Sequence, residues 1–238
     1  MKKSQLAVVS ALGFVVAVMI AFGIWLRLVA EPMPALSGER TTRTYDLADF
    51  RGVEADGHWQ ITIERGDAWL VSVEAPAELI DQVSVERQAD GDAVDLEGPL
   101  WFGRFADDQA MLQAKITMPS LESVDVSGTS ILSFSGFEGS ALSIDFSGGG
   151  QLRGSSSRFD ELMLDLSGAG DIDLSDVAVT DAEVDISAAA NVRLQMAGGR
   201  LTGDISGAAN LEYSGAVSEE SIDRSGLVNV RQRQRGRP

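Results

Sequence analysis

The 238-residue chain has no cysteine and only one histidine, His58. The first absence excludes disulfides, thiolate-bound metals, a cysteine nucleophile and a lipid-modified cysteine anchor. The second excludes any site that needs two histidines. Also missing are a phosphate-binding P-loop, a G-x-S-x-G elbow and an H-E-x-x-H pair. Basic residues are scarce: 19 Lys and Arg stand against 36 Asp and Glu, a net charge of −17. Between Leu36 and Val230 the balance is 12 basic to 35 acidic, or −23. A body this acidic repels nucleic acid and anionic lipid head groups and favours solubility.

What is present begins with a hydrophobic run. "MKKSQLAVVSALGFVVAVMIAFGIWLRLVAEPMPA" opens with two lysines and is then uncharged from Leu6 to Leu26. As a helix that run would span about 30 Å, enough for a bilayer core. Lysines before it and one arginine after it predict an inner-membrane anchor, with the rest of the chain facing the periplasm or extracellular side. Trp25 would then sit at the outer interface. The competing reading is a cleavable signal with Ala21 and Gly23 before the cut, which sends the chain to the envelope as a secreted protein. Residues 1–26 are thus a transmembrane signal-anchor or signal peptide, and 27–42 a linker rich in proline and small residues. Residues 43–230 form the folded domain. Residues 231–238, "RQRQRGRP", are a basic tail with four arginines, suited to a solvated end or to an acidic surface.

Within the domain the period is two. "WQITIERG" and "WLVSVEA" alternate apolar and polar residues as half-buried strands do. "LIDQVSVERQADGDAVDLEG" reads as two strands around an Ala-Asp-Gly-Asp turn, and "AMLQAKITMP" as another strand. Between them "PLWFGRFADD" holds Trp101, Phe102 and Phe105, a loop that caps a core end or forms a contact patch.

From Pro119 the chain repeats. The unit apolar–Asp–apolar–Ser–Gly is written "VDVSG", "IDFSG", "LDLSG", "VDISA", "GDISG" and "IDRSG". Its serines fall at 127, 147, 167, 187, 206 and 225, so the step is 20 residues and then 19. Five residues after each serine stands Leu132, Leu152, Ile172, Val192, Leu211 or Val230. A unit this short does not fold alone; stacked copies share one core. The expected fold is therefore all-β: a single-stranded parallel β-helix, a solenoid of ~20-residue rungs regular over 119–230, preceded by an N-terminal membrane helix. In a strand, the residues flanking each aspartate share one face and the Asp and Ser share the other. The apolar flanks face inward, so Asp and Ser line the outside.

"DFRGVEADGHWQITIERG" together with the rung signature "LDLSGAGDIDL", varied as "VDISAAANVRL" and "GDISGAANLEY", resembles the bacterial auto-transporter adhesin head GIN domain family over roughly Tyr45 to Val230. The resemblance implies an exported parallel β-helix with an adhesion-like role. It carries no catalytic residue across.

The aspartates predict a column: Asp125, Asp145, Asp165, Asp185 and Asp204, ending at Asp223, spaced at about 4.8 Å. Each neighbouring pair repels by about 0.9 kcal/mol in water and about 3.5 kcal/mol at an effective dielectric of 20. The column must be solvated or neutralised. Its functional reading is a cation ladder with Ser127, Ser147, Ser167, Ser187 and Ser206 as further oxygen donors, calcium being the fitting ion. Its structural reading is a solvated stripe that discourages lateral sheet pairing. The polar positions Asp171, Asn191, Asn210 and Asn229 suggest a side-chain ladder on a second face. Equivalent aspartates single out no catalytic pair. The expectation is thus a non-enzymatic, adhesin-like envelope protein with an envelope protein or glycan as partner, and no cofactor or nucleic acid. A polysaccharide-active enzyme or a ligand-free spacer are the alternatives.

Overall fold

Alternation of apolar and polar residues carries most of the chain into β-strands. The structure is a computed structural model and describes residues 36–88, 91–99 and 111–233. Among these, one sheet runs through fourteen strands. They are β1 (Arg40–Tyr45), β2 (Gly52–Arg65), β3 (Leu70–Pro76), β4 (Ser84–Arg87), β5 (Ala93–Glu97), β6 (Leu112–Met118) and β7 (Ser123–Ser135). There follow β8 (Glu138–Phe146), β9 (Gly149–Ser155), β10 (Ser157–Leu166), β11 (Ala169–Ala197), β12 (Arg200–Ala216), β13 (Glu219–Arg224) and β14 (Asn229–Arg233). A single 3-10 turn, Ile80–Gln82, is the one helical element of the described residues.

The N-terminal part is mixed. β1 pairs β3 antiparallel, β3 pairs β6 antiparallel, and β4 and β5 form an antiparallel hairpin. β2 joins this part to the repeats: it pairs β5, β6 and β7, all parallel. From β7 onward every pairing is parallel, and equivalent residues of successive repeats lie side by side.

The inward residues make one continuous core. Val124, Val126, Ile144, Phe146, Leu164, Leu166, Val184 and Ile186, the flanks of the first four repeat aspartates, are all buried. Each such side chain stabilises the fold by roughly 2 kcal/mol relative to exposure. Phe134 and Phe159 meet edge to face, with ring centroids 6.5 Å apart. Trp59 is fully buried and its indole N–H donates to the Asp56 carbonyl at 3.0 Å.

The step from 20 to 19 residues has a local cause. Ser157 stands beside Val177, twenty residues on, whereas Ala182 stands beside Leu201, nineteen on. The missing residue belongs to the corner Ala197–Gly199, which replaces a corner built around the buried Val177 and Val179. Gly198 turns there at φ +113°.

The expected fold needs correction. The sequence predicts an open, single-stranded parallel β-helix of short strands behind a membrane helix. The structure instead has the antiparallel N-terminal part just described, and its parallel pairings close on themselves. β7 pairs β8, β8 pairs β10, β10 pairs β11, β11 pairs β9 and β9 pairs β7, a closed five-strand parallel barrel. The physical reason is that strands run through the corners. β7 and β11, of 13 and 29 residues, stay extended where glycine and alanine let the backbone bend, and so each contributes to more than one wall. No helix of the described residues is long and apolar enough to cross a membrane. The expected span at residues 1–26 lies outside the described residues, as do Trp101, Phe102 and Phe105 and the tail beyond residue 233.

Candidate functional site: two charged columns

Parallel register sets the aspartates side by side. Asp125 lies beside Asp145, Asp145 beside Asp165, and Asp165 beside Asp185. Asp204 lies beside Asp223. All six are exposed. Between Asp185 and Asp204 the ladder breaks, because Gly203 stands where other repeats carry a valine, leucine or isoleucine. There the Asp204 backbone N–H donates to Asp185 Oδ1 at 3.0 Å. The serines follow the same line: Ser187 is beside Ser206. Ser147, Ser167 and Ser187 are exposed, and Ser127 and Ser206 half-buried.

The column is longer than the regular repeat. Asp125 lies beside Glu54, Glu54 beside Asp95, and Asp95 beside Glu86. Nine carboxylates thus follow one line, from Glu86 through Asp95, Glu54 and Asp125 to Asp223, with its one break between Asp185 and Asp204. The serine line turns acidic at the same end, with Ser127 beside Asp56 and Asp56 beside Glu97. Two stretches carried the signal: "VEADG" (Val53–Gly57) and "VDLEG" (Val94–Gly98) repeat the pattern of "VDVSG". Glu54 is tied down by the Gln88 side-chain amide, which donates to Glu54 Oε2.

Crowding shows in the ionisation of these groups. Partial burial, then the charges of Glu97, Asp56 and Glu86, pushes the Asp95 carboxyl above its usual range. Partial burial and then Asp145 raise Asp125, and partial burial and then Asp165 raise Asp145. No arginine or lysine among the described residues forms an ion pair with Asp125, Asp145, Asp165 or Asp185.

A second column behaves in the opposite way. Arg153 lies beside Asp173, Arg193 occupies the same position one repeat later, and Glu212 lies between Arg193 and Arg231. The signs alternate. Arg153 reaches Asp173 at 3.5 Å, and Arg193 reaches Asp171 at 3.2 Å and Asp173 at 3.7 Å. For Asp173, partial burial works upward, but the Ser175 hydroxyl and N–H and the two arginines outweigh it and lower the carboxyl. Beside this column Asn229 Nδ2 donates to Asn210 Oδ1 at 2.6 Å, so one step of the polar line is a true side-chain ladder.

Next to the all-acid column runs a shallow groove of about 590 Å³ crossing several repeats, lined by Glu122, Glu161, Asp181, Glu183 and the exposed Met163. Asp181 is engaged: the Arg200 backbone N–H donates to it at 2.7 Å. Among the described residues no three carboxylate or imidazole groups stand close enough to hold a metal ion. The calcium reading therefore finds no cage: the carboxylates form a line along one face and do not converge on a point.

Comparison with known proteins fits this architecture. The crystal structure of a "putative adhesin" from Bacteroides fragilis NCTC 9343 aligns with 83% of this chain and 98% of its own, at 14% identity and a TM-score of 0.60. A "putative adhesin" from Parabacteroides merdae ATCC 43184 aligns with 83% of this chain and 97% of its own, at 14% identity and a TM-score of 0.44. A "Putative lipid binding protein" from Parabacteroides distasonis ATCC 8503 aligns with 82% of this chain and 98% of its own, at 17% identity and a TM-score of 0.40. The first shares the fold. No curated protein matches the chain. A family model described as "Putative auto-transporter adhesin, head GIN domain" matches residues 49–217 and again 163–233.

Proposed function

The chain belongs to the auto-transporter adhesin head GIN domain family, and on that premise we propose that it is a non-enzymatic protein of the cell envelope whose acidic wall is its contact surface. Under this reading the chain is exported and the wall meets a cationic surface on an envelope protein or glycan. One observation carries the reading: the same barrel neutralises one column with alternating arginines and leaves Asp125, Asp145, Asp165 and Asp185 of the neighbouring column without them. Acid in excess would be paired wherever stability alone set the sequence, because an arginine at every second position was available to the fold. Four such aspartates in a row cost repulsion, and a cationic partner would relieve it. The carboxylates are equivalent along the line, which suits a repeated contact better than a reaction centred on one acid and one base.

The test is retention of envelope fragments on immobilised full-length protein, compared with the triple variant Asp125→Asn, Asp145→Asn, Asp165→Asn. The wild type should retain more material, by several-fold, and the difference should shrink as salt rises. Equal retention by the two proteins, with the variant at least as stable thermally as the wild type, would sink the acidic wall as the contact surface.

A further inference from the structure

Beyond the closed barrel, the C-terminal end of the sheet is an open edge among the described residues. β13 and β14 pair β12 on one side, and no described strand pairs their other side. Such an edge offers a row of unused N–H and C=O groups. The apolar position of the repeat is also less covered there. The position five residues after each repeat serine is filled by Leu132, Leu152, Ile172, Val192 and Leu211, each at most 1% exposed. Its last copy, Val230, packs on the core but stays half-buried, and Leu227 at the preceding corner is 83% exposed.

The charges of its β14 half state what belongs there, whereas the β13 half carries Glu219, Glu220 and Asp223, the end of the acidic line. Along the alternating column the order is Arg153, Asp173, Arg193, Glu212, Arg231. Arg231 has Glu212 on one side, and the alternation calls for a carboxylate on the other. Arg233 leans back to Glu212 at 3.5 Å, and Arg231, beside Glu212 in register, forms no ion pair among the described residues. Asn229 uses its side-chain N–H on Asn210, so a further side chain stacked on the same line could donate to its oxygen.

We propose that the β14 edge is a docking site for an extended segment of a partner protein with the pattern Asn–apolar–acid, added as the next parallel strand. Main-chain hydrogen bonds supply affinity, the apolar residue covers Val230 and the acid pairs with Arg231. The β14 edge, unlike β13 with Glu219, Glu220 and Asp223, presents arginines and attracts acid, so the proposal does not rest on the reading above. The competing role of the arginines is protection, since charge on an edge strand discourages pairing. Protection requires no particular partner charge, whereas docking does.

The probe is a fluorescent nonapeptide with the sequence of residues 208–216, "AANLEYSGA", whose Asn–Leu–Glu already lies beside Asn229–Arg231 within the chain. Anisotropy with the full-length protein should show binding that weakens as salt rises from about 0.05 M to 0.3 M. Replacing the peptide's Glu by Lys should weaken binding about ten-fold, and Arg231→Glu in the protein should reverse that preference. Arg231→Gln, with a melting curve like the wild type, should lower affinity and abolish the charge preference. Either of two results overturns the proposal. One is no binding of either peptide at roughly 1 mM. The other is binding that ignores the charge at position 231. A concentration-dependent dimer abolished by Arg231→Glu, with no peptide binding, also overturns it and assigns the edge to a second copy.

Discussion

At Gly168 one added carbon would stand 1.7 Å from the carbonyl oxygen of Gly148, and at Gly148 one would stand 1.8 Å from that of Gly128. These glycines are needed for closeness: neighbouring strands approach at the corner until no Cβ fits between them. Gly198 is needed for a different reason, since nothing lies within 4 Å of a Cβ there but its φ is +113°. Gly168→Ala should therefore destabilise by about 3 kcal/mol or more, through backbone displacement in two repeats. Gly198→Ala should cost only the local strain of about 1–2 kcal/mol. In thermal unfolding the first should lower Tm by roughly 6–12 °C or more and the second by no more than about two thirds of that. Similar shifts for both would mean that the corner relaxes and that close approach is not what fixes glycine there. The alanine in "VDISA" is the instructive exception: Ala188 sits inside the long β11, buried at 7% exposure, where the chain continues as strand. Residue identity announced the corner, but whether the chain turned or ran through it depended on the neighbouring repeats.

The two columns are elements of one sheet that respond to pH with opposite sign. Asp125 and Asp145 have raised carboxyls, so between the ordinary carboxylate value and the raised one the folded protein holds protons that the unfolded chain has lost. Across that window stability falls as pH rises. Asp173 has a lowered carboxyl, so its contribution is present above the ordinary value and is lost as pH falls through the folded value. Asp145→Asn removes repulsion from both neighbours and should raise Tm at pH 7 by about 2 °C at low salt, with the gain vanishing below about pH 4. Asp173→Asn should lower Tm at pH 7 by about 1–3 °C, an effect that also vanishes in acid. Melting curves of the two variants across pH 3–8 check both; a loss from Asp145→Asn at pH 7 would show that the acidic line is stabilised by something other than solvent. The acidic line was legible because its unit recurs at constant spacing. Glu54, Asp95 and Glu86 escaped because the segments between them are not of repeat length, so "VEADG" and "VDLEG" fall out of step although register restores them to the line. The alternating column was hidden for another reason. Arg153, Asp173, Arg193 and Glu212 share a position but not a residue type, and only register turns such a position into a ladder.

On the scale of the whole molecule the repeat spacing made the parallel stacking readable, because a unit of ~20 residues can bury its apolar face only against its neighbours. The β4–β5 hairpin was announced by its Ala-Asp-Gly-Asp turn. The closed pairing and the antiparallel pairing of β3 with β1 and β6 were not readable, since they depend on which strands continue through corners and which segments interrupt the period. The same scale governs how salt acts. A net charge of −17 opposes compactness, and much of it lies in one line of nine acids. Unscreened, nearest neighbours in that line repel by about 0.9 kcal/mol per pair in water, which reaches several kcal/mol along the line. The surface ion pairs of the alternating column each give back at most about 1 kcal/mol and commonly less. Repulsion therefore outweighs attraction, and shortening the Debye length from about 30 Å at 0.01 M to about 8 Å at 0.15 M should stabilise the fold. We expect Tm to rise by several degrees over that range. Calcium at matched ionic strength should add no more than magnesium, because line geometry gives each ion one or two carboxylates where a calcium site needs six to eight oxygens. A calcium-specific rise reversed by chelator would show that the aspartates and serines of the column converge on an ion after all, and would favour the cation ladder over the solvated stripe.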